Sequence, residues 1–442
     1  MVNLLVGNLR TEEMIGDLQL LTAEAKLVTG CAAQSLIWFA GDGDVAVLPW
    51  APDPDYVSYV CTLTGTNPAS LRIVIPPSAP YDGILDAGRL RNPQFLNDLD
   101  QAIAGRGVDK IIAFYPDELT ATLARQVGAT AALPGHAFLT QHGSAIANSK
   151  ATFRAVANGI GCPVPEGSVC ADRFSAERQI ANLLAKGPAV VVKREFHGAG
   201  DGNEILVTDA DISVEGTRLV RFIDQGSTVS KYVTERWDWL TDNGKHRAIV
   251  ERYHIGSTPV FADFIVSDSG VIQVGHGQML MDPAYVGVIV PAPDLTDIQR
   301  KIFFDESRRI CTAFGAIGFR GTMGVDGIRT ADGKVLLNEV NGRFTGSTHL
   351  FQLIGRRLIG EDFLERRVII GRSTLKVPSF SSAITLIKSN ELSYDPQSRC
   401  GVILVCDYGK ANKTVKYYAV AESLAAAREY DKSLREIFTG NE

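Results

Sequence analysis

Between Gly324 and Arg343 the chain reads GVDGIRTADGKVLLNEVNGR, and this stretch restricts the fold more than any other. Ala331-Asp332-Gly333-Lys334 separates two β-rich runs, and Asp-Gly in that setting predicts a tight hairpin, because its turn needs positive φ. Val325 leads into the first strand, and Val335 to Val340 returns as an apolar one. Pairing them brings Asp326 to the same end as Glu339 and Asn341. Three oxygen-bearing side chains so grouped suit a hard cation such as Mg²⁺. Arg343, two residues on, is within reach of an anion that such a cation neutralises. The plain alternative is an exposed hairpin whose acids face water. Against it, Glu339 comes soon after Val335-Leu336-Leu337, so its strand leaves a core, where a carboxylate needs a partner or a metal to offset desolvation.

A chain of 442 residues is too long for one small core, which predicts two or three domains. Hydrophobic content of 45% with 21% charged residues is that of a soluble globular protein, and a net charge of −6 leaves no basic surplus for nucleic acid or anionic membrane. No apolar run approaches the roughly 20 residues of a membrane span, and the start MVNLLVGNLRTEE lacks the pattern of a signal peptide. The 7 cysteines are scattered without a C-x-x-C pair, so reduced thiols in a cytoplasmic protein are expected rather than zinc or redox motifs.

Residues 1–145 alternate β-rich runs (2–6, 35–40, 45–48, 71–75, 110–114) with helical stretches (11–29, 96–104), which predicts a parallel-sheet α/β domain. Gly7-Asn8-Leu9-Arg10 lies where a dinucleotide phosphate loop would lie, but G-x-G-x-x-G is absent, which weakens a dehydrogenase reading. A second unit is expected over 146–370, divided near 250. It opens with a helix (151–158) that Ser149 is placed to cap, followed by a helix (175–185) and a strand (188–193) ending in Lys193. His197-Gly198-Ala199-Gly200-Asp201-Gly202 then forms a flexible strand–loop–strand flap, whose backbone amides can close over phosphate oxygens. A lysine at the end of a core-directed run supports that use, since it is costly there without an anion. Strands are expected at 248–255, 260–266 and 270–274, a loop from Tyr285 to Pro293, and helices at 297–314 and 351–357. A small C-terminal α+β domain is expected over 371–442, with strands at 383–387, 401–406 and 414–420 and a helix over 423–437.

Lys150 opening a helix, Lys193 before a Gly-rich flap, an acidic hinge at 251–254 and then D…N-E-x-N-x-R follow one another in an order that resembles the ATP-grasp superfamily over about residues 146–360. The N-terminal α/β domain, the N-E-V-N-G-R-F-T-G-S-T-H loop and the short C-terminal domain further resemble the ATP-grasp peptide ligases of antibiotic biosynthesis, which join a guanidino-acid to the amino end of a peptide. The resemblance implies a grasp core of two subdomains and an ADP-forming carboxylate–amine ligase using ATP with Mg²⁺ or Mn²⁺. It implies that Asp326, Glu339 and Asn341 hold the metal and that Lys150, Lys193 and the flap (His197, Gly198, Gly200, Gly202) meet the phosphates. Adenine would lie along Glu251, Arg252 and Tyr253, with Asp263 or Glu251 for the ribose, since Ser257 and Thr258 stand where relatives carry an acid. Arg343 would stabilise the acyl phosphate, Arg320 would replace an arginine whose usual place is Gly324, and Ser347, His349 and Tyr285 would line the substrate site. The substrates implied are a small carboxylate and a peptide or amino-acid amine, with a homodimer left open. Competing readings are a ligase of two free amino acids, of the dipeptide or D-alanine type, and an ATP-binding sensor without turnover.

Overall fold

The computed structural model describes residues 1–16, 18–78, 82–198, 200–224 and 227–439. Ala199 of the flap lies outside the described residues. Within them the strands form three sheets.

The first holds β1 (Val2–Val6), β2 (Val45–Val47), β3 (Arg72–Val74) and β4 (Val108–Ala113), all parallel, in the order β3-β2-β1-β4. β1 and β2 are almost wholly buried, as strands covered on both faces must be. Helices Pro54–Thr64 and Pro93–Ile103 each begin with proline behind a capping side chain, Asp53 and Asn92. Two expectations are corrected here. The strand expected at 35–40 is instead a buried 3₁₀ helix, Gln34–Phe39, ended by Ala40, whose apolar run packs Leu36, Ile37 and Trp38 inside. The helix expected over 11–29 is interrupted: Glu12–Ile15 stops at Gly16, whose φ is 80°, and Thr22 caps a new helix, Ala23–Ala33.

The second sheet comprises β5 (Gly167–Cys170), β6 (Ala189–Arg194), β7 (Asn203–Val207), β8 (Val220–Phe222) and β9 (Ala248–Arg252), in the order β5-β9-β6-β7-β8. Helices Arg173–Leu184 and Ser227–Thr241 cover one face, with Ile180, Leu183, Val233 and Leu240 against Val190, Val192, Leu206 and Val250.

The third sheet has eight strands: β10 (Thr258–Ser267), β11 (Gly270–Asp282), β12 (Ala284–Val290), β13 (Gly321–Arg329), β14 (Val335–Asn341), β15 (Val368–Lys376), β16 (Gly401–Asp407) and β17 (Thr414–Ala421). Their order is β14-β13-β10-β11-β12-β15-β17-β16, antiparallel throughout. Helix Asp297–Ala316, started by a Thr296–Gln299 capping box, lays Phe303, Ile310 and Phe314 against Val260, Phe264, Met323 and Leu337. The hairpin expected around Asp332-Gly333 is β13–β14. Tyr285 sits on β12 rather than in a loop, because β11 and β12 continue well past 274 as one long hairpin.

The C-terminal strands β15–β17 join this same sheet through β12. They also lean on the N-terminal unit: Trp38 Nε1 and Tyr56 OH donate to the Val405 carbonyl at 2.8 and 2.9 Å. Residues 383–387, expected as a strand, lie in helix Phe380–Ser389, capped by Ser379. Phe380, Ala383 and Ile387 are its buried residues, a helical spacing that the apolar run concealed. No helix among the described residues is long and apolar enough to cross a membrane.

Candidate active site

Pairing of β13 with β10 and β14 writes a polar stripe on one face of the third sheet. Asp326 stands opposite Glu339 and Phe261, and Gly324 stands opposite Asn341 and Asp263. Cross-strand partners share a face and positions two apart share it too, so the two acids, the amide and Asp263 come together. A β-bulge at Asn338 lets Asp326 face Glu339 while Gly327 pairs with Leu337. Gly324 leaves the room this needs: a Cβ there would lie 2.7 Å from Thr345 Cγ2 and 3.3 Å from Asp263 Oδ1.

Asn341 Nδ2 donates to Asp326 Oδ2 at 3.1 Å. Withdrawal from water, and after it the charge of Glu339, push Asp326 well above the usual carboxylate range. Burial would raise Glu339 as well, but Lys150, Lys193 and Arg343 outweigh it and hold Glu339 ionised, below its usual range. Two carboxylates face to face with an amide beside them are unfavourable unless a cation is shared. Among the described residues no three Asp, Glu, His or Cys side chains converge as a closed metal cage. Two carboxylates that leave the remaining positions to water and phosphate fit Mg²⁺, which is seldom held by protein alone.

Lys193 reaches this stripe from the second sheet, and Lys150 from a helix whose Phe153 and Ala157 pack against the third. Ser149 caps helix Lys150–Gly159, accepting from Thr152 N at 3.0 Å, and so fixes Lys150 in the first turn. Lys150 Nζ lies 3.1 Å from Glu339 Oε2 and donates to the His197 carbonyl at 2.9 Å. It therefore ties the flap to Glu339. His197 contributes that carbonyl; burial lowers its ring to about 4, so the ring is neutral. The flap tip overhangs the stripe: at Gly198 a Cβ would be 3.4 Å from Arg343 Nη2 and 3.3 Å from Met14 Cε.

Lys193 Nζ is 2.6 Å from Glu251 Oε2, and Arg154 Nη1 donates to Glu251 Oε1 at 2.6 Å. All three side chains are under 10% exposed. Glu251 is thus committed to two cations and is not free for a ribose. Glu251→Ala strands two buried cations and is expected to cost roughly 3–5 kcal/mol, read as a lower urea midpoint at unchanged m-value. The backbone amides of Arg252 and Tyr253 are engaged by the Glu166 and Ala189 carbonyls, and Tyr253 OH by Glu215. Asp263 is 1% exposed, raised to about 7 by burial, and gripped by Ser347 Oγ at 3.0 Å and Thr345 Oγ1 at 3.3 Å. It belongs to the stripe and is bound by the turn after β14, five residues into β10 and well past the hinge.

Arg320 is not brought to the site. It precedes β13 at the end remote from Asp326 and binds Asp268 at 2.6 Å and the Gly315 carbonyl. Ser347 serves Asp263, while His349 Nε2 meets Tyr418 OH at 2.9 Å. Residues that sequence reasoning missed hold the cations in place. Asn148 Oδ1 accepts from Arg343 Nη1 at 2.7 Å, while its Nδ2 donates to the Ser144 carbonyl at 2.9 Å. Asn148→Ala is expected to lower kcat on the order of 10- to 100-fold, with little change in KM for ATP, because Arg343 loses its orientation. Arg154, on the same helix as Lys150, orients Glu251. Neither was signalled locally, since each partner lies about 100 to 195 residues away.

Comparison with known proteins agrees with this architecture. Residues 33–129 match the Pre ATP-grasp domain, and residues 382–434 match the PGM1 C-terminal domain. The chain is 26% identical over 376 residues to L-propargylglycine–L-glutamate ligase of Streptantibioticus cattleyicolor, covering 80% of this chain and 76% of that protein. It is 21% identical over 230 residues to the [butirosin acyl-carrier protein]–L-glutamate ligase of Niallia circulans, about half of each chain. Among solved structures it resembles N5-carboxyaminoimidazole ribonucleotide synthetase with ADP (TM-score 0.56, 16% identity, 99% and 97% of the two chains). It also resembles the biotin carboxylase domain of Hydrogenobacter thermophilus 2-oxoglutarate carboxylase (TM-score 0.58, 14% identity, 98% and 89%). The fold is that of the ATP-grasp proteins.

Proposed function

We propose that this chain, an ADP-forming carboxylate–amine ligase of ATP-grasp fold, activates a small amino-acid-like carboxylate as an acyl phosphate and joins it to the amine of a peptide or amino acid. One observation carries the reading: Lys150 and Arg343 flank the paired Asp326 and Glu339 beneath a glycine-rich flap. A carboxylate resists attack by an amine because oxide would have to leave, whereas an acyl phosphate loses phosphate. Phosphoryl transfer asks the protein chiefly for positioning and charge neutralisation.

In this mechanism Lys150 and Lys193 exchange their present acid partners, Glu339 and Glu251, for phosphate oxygens of ATP. The flap at 197–204 excludes water, and adenine lies along the hinge at 251–254. Asp326, Glu339 and Asn341 would hold Mg²⁺ or Mn²⁺, which when bound supplies neutralisation of phosphate charge. Arg343, held by Asn148, stabilises the acyl phosphate and the oxyanion that forms when the amine attacks. The ammonium proton leaves to water or phosphate, so no protein base is assigned. Dependence on ATP supports a cytoplasmic location.

A second reading, ligation of two free amino acids, is favoured by the relative named for joining L-propargylglycine to L-glutamate. L-Glutamate occurs in the names of both curated relatives and is the first compound to try. The test is ADP and phosphate release from Mg-ATP with a panel of carboxylic acids, with and without amino acids and short peptides. Release that requires both partners, with a product lighter than their sum by one water, supports the ligase. Tight ATP binding without turnover on any pair would instead make the chain a sensor.

A further inference from the structure

Lys416, on β17, reaches from the C-terminal strands to the turn that follows β14, where its Nζ donates to the Gly346 carbonyl at 2.8 Å. It stands 5.5 Å from the centroid of the Tyr418 ring. Tyr285 OH lies 3.7 Å from the point where a Cβ on Gly346 would be. The same turn grips Asp263 through Thr345 and Ser347, and Thr345 abuts Gly324, two residues before Asp326. This polar group therefore borders the reactive stripe.

Among the described residues Lys416 has no acid or amide partner, unlike the other cations there. Lys150 rests on Glu339, Lys193 on Glu251 and Arg343 on Asn148. Lys416 meets a carbonyl and a phenol ring. It remains accessible to solvent, yet the surrounding protein withdraws enough water to lower its pKa to about 8. A partly desolvated ammonium without a counter-ion is unfavourable until an anion enters. Burial keeps the Tyr285 hydroxyl protonated, so it remains a hydrogen-bond donor, whereas the buried Tyr418 hydroxyl is taken by His349 Nε2 at 2.9 Å and the Gly346 carbonyl at 3.4 Å.

We propose that Lys416, with the Tyr285 hydroxyl, forms a subsite for a substrate carboxylate that the reaction leaves intact, the α-carboxylate of an amino acid. A single cation with a neutral donor matches a monoanion, whereas phosphate dianions call for the paired lysines across the site. The assignment rests on the ligase reading and makes the C-terminal strands part of substrate selection.

The test measures equilibrium binding of L-glutamate and of its α-amide to the full chain in Mg-ADP, for the wild type, Lys416→Met and Lys416→Arg. The wild type is expected to bind the acid at least about tenfold more tightly than the amide. Lys416→Met, which keeps the packing of the stem, should bind the two within about twofold. Lys416→Arg should retain part of the preference, with ATP affinity alike in all three. An undiminished preference in a folded Lys416→Met protein, or none in the wild type, overturns the subsite. Ligation assayed on the same preparations separates the two claims. If the wild type still joins acid to amine with ADP release, the subsite alone fails; if no pair yields ADP, both fall.

Discussion

Glu339→Gln is expected to reduce kcat on the order of a thousandfold or more while the protein stays folded. The substitution conserves volume and removes one charge where three cations, Lys150, Lys193 and Arg343, hold the carboxylate ionised. The fold has little stake in that charge, because Glu339 is half-buried at the edge strand of the third sheet and its backbone pairing with Asp326 is unchanged. The proposed reaction would depend on it: the same carboxylate faces Asp326, and these two are the acids assigned to Mg²⁺. Unaltered turnover in a Glu339→Gln protein with a normal melting temperature would remove the metal assignment.

Arg343→Ala is expected to cost about 10²- to 10³-fold in kcat and to leave the KM for ATP within about threefold. Arg343 lies beyond the end of β14, beneath the flap tip at Gly198, with Nη1 on Asn148. Its contact with Asn148 is to an amide, so its charge remains available to an anion arriving in the site. In the proposed mechanism that guanidinium would act on charge that develops during acyl transfer rather than on the resting nucleotide. Arg343→Lys should recover only a small part of the loss, because an ammonium cannot hold Asn148 and an oxyanion in the same planar geometry. A loss confined to ATP affinity would place Arg343 with the nucleotide instead.

The hairpin that carries these residues was legible because its signals are local. Asp332-Gly333 fixes the turn and a period of two puts Glu339 and Asn341 on one face, but it is the β-bulge at Asn338, which the sequence did not signal, that sets Asp326 opposite Glu339. Lys150 behind its Ser149 cap and Lys193 at the end of β6 were legible for the same reason. What joins these pieces was not. Arg154 on Glu251 and Asn148 on Arg343 are tertiary pairs with no mark in the chain near either partner. The role expected for Asp263 failed on register: its place opposite Gly324 commits it to the turn at Thr345 and Ser347, away from the hinge. Arg320 looked available until the fold placed Asp268 beside it. The tail misled in another way. β16 and β17 were expected, at 401–406 and 414–420, in a small domain of their own, but β15, a strand that was not expected, joins β17 to β12, and hydrophobic pattern gives a strand without naming its neighbour.

The account stands or falls on phosphorylation of the carboxylate, and oxygen transfer reads it directly. A carboxylic acid labelled with ¹⁸O in both oxygens is incubated with Mg-ATP, the amine and the protein, and the phosphate products are weighed by mass spectrometry. One ¹⁸O in each inorganic phosphate released, with ADP as the nucleotide product, is the predicted result. Label appearing in AMP, with pyrophosphate released, would mean adenylation and contradict it.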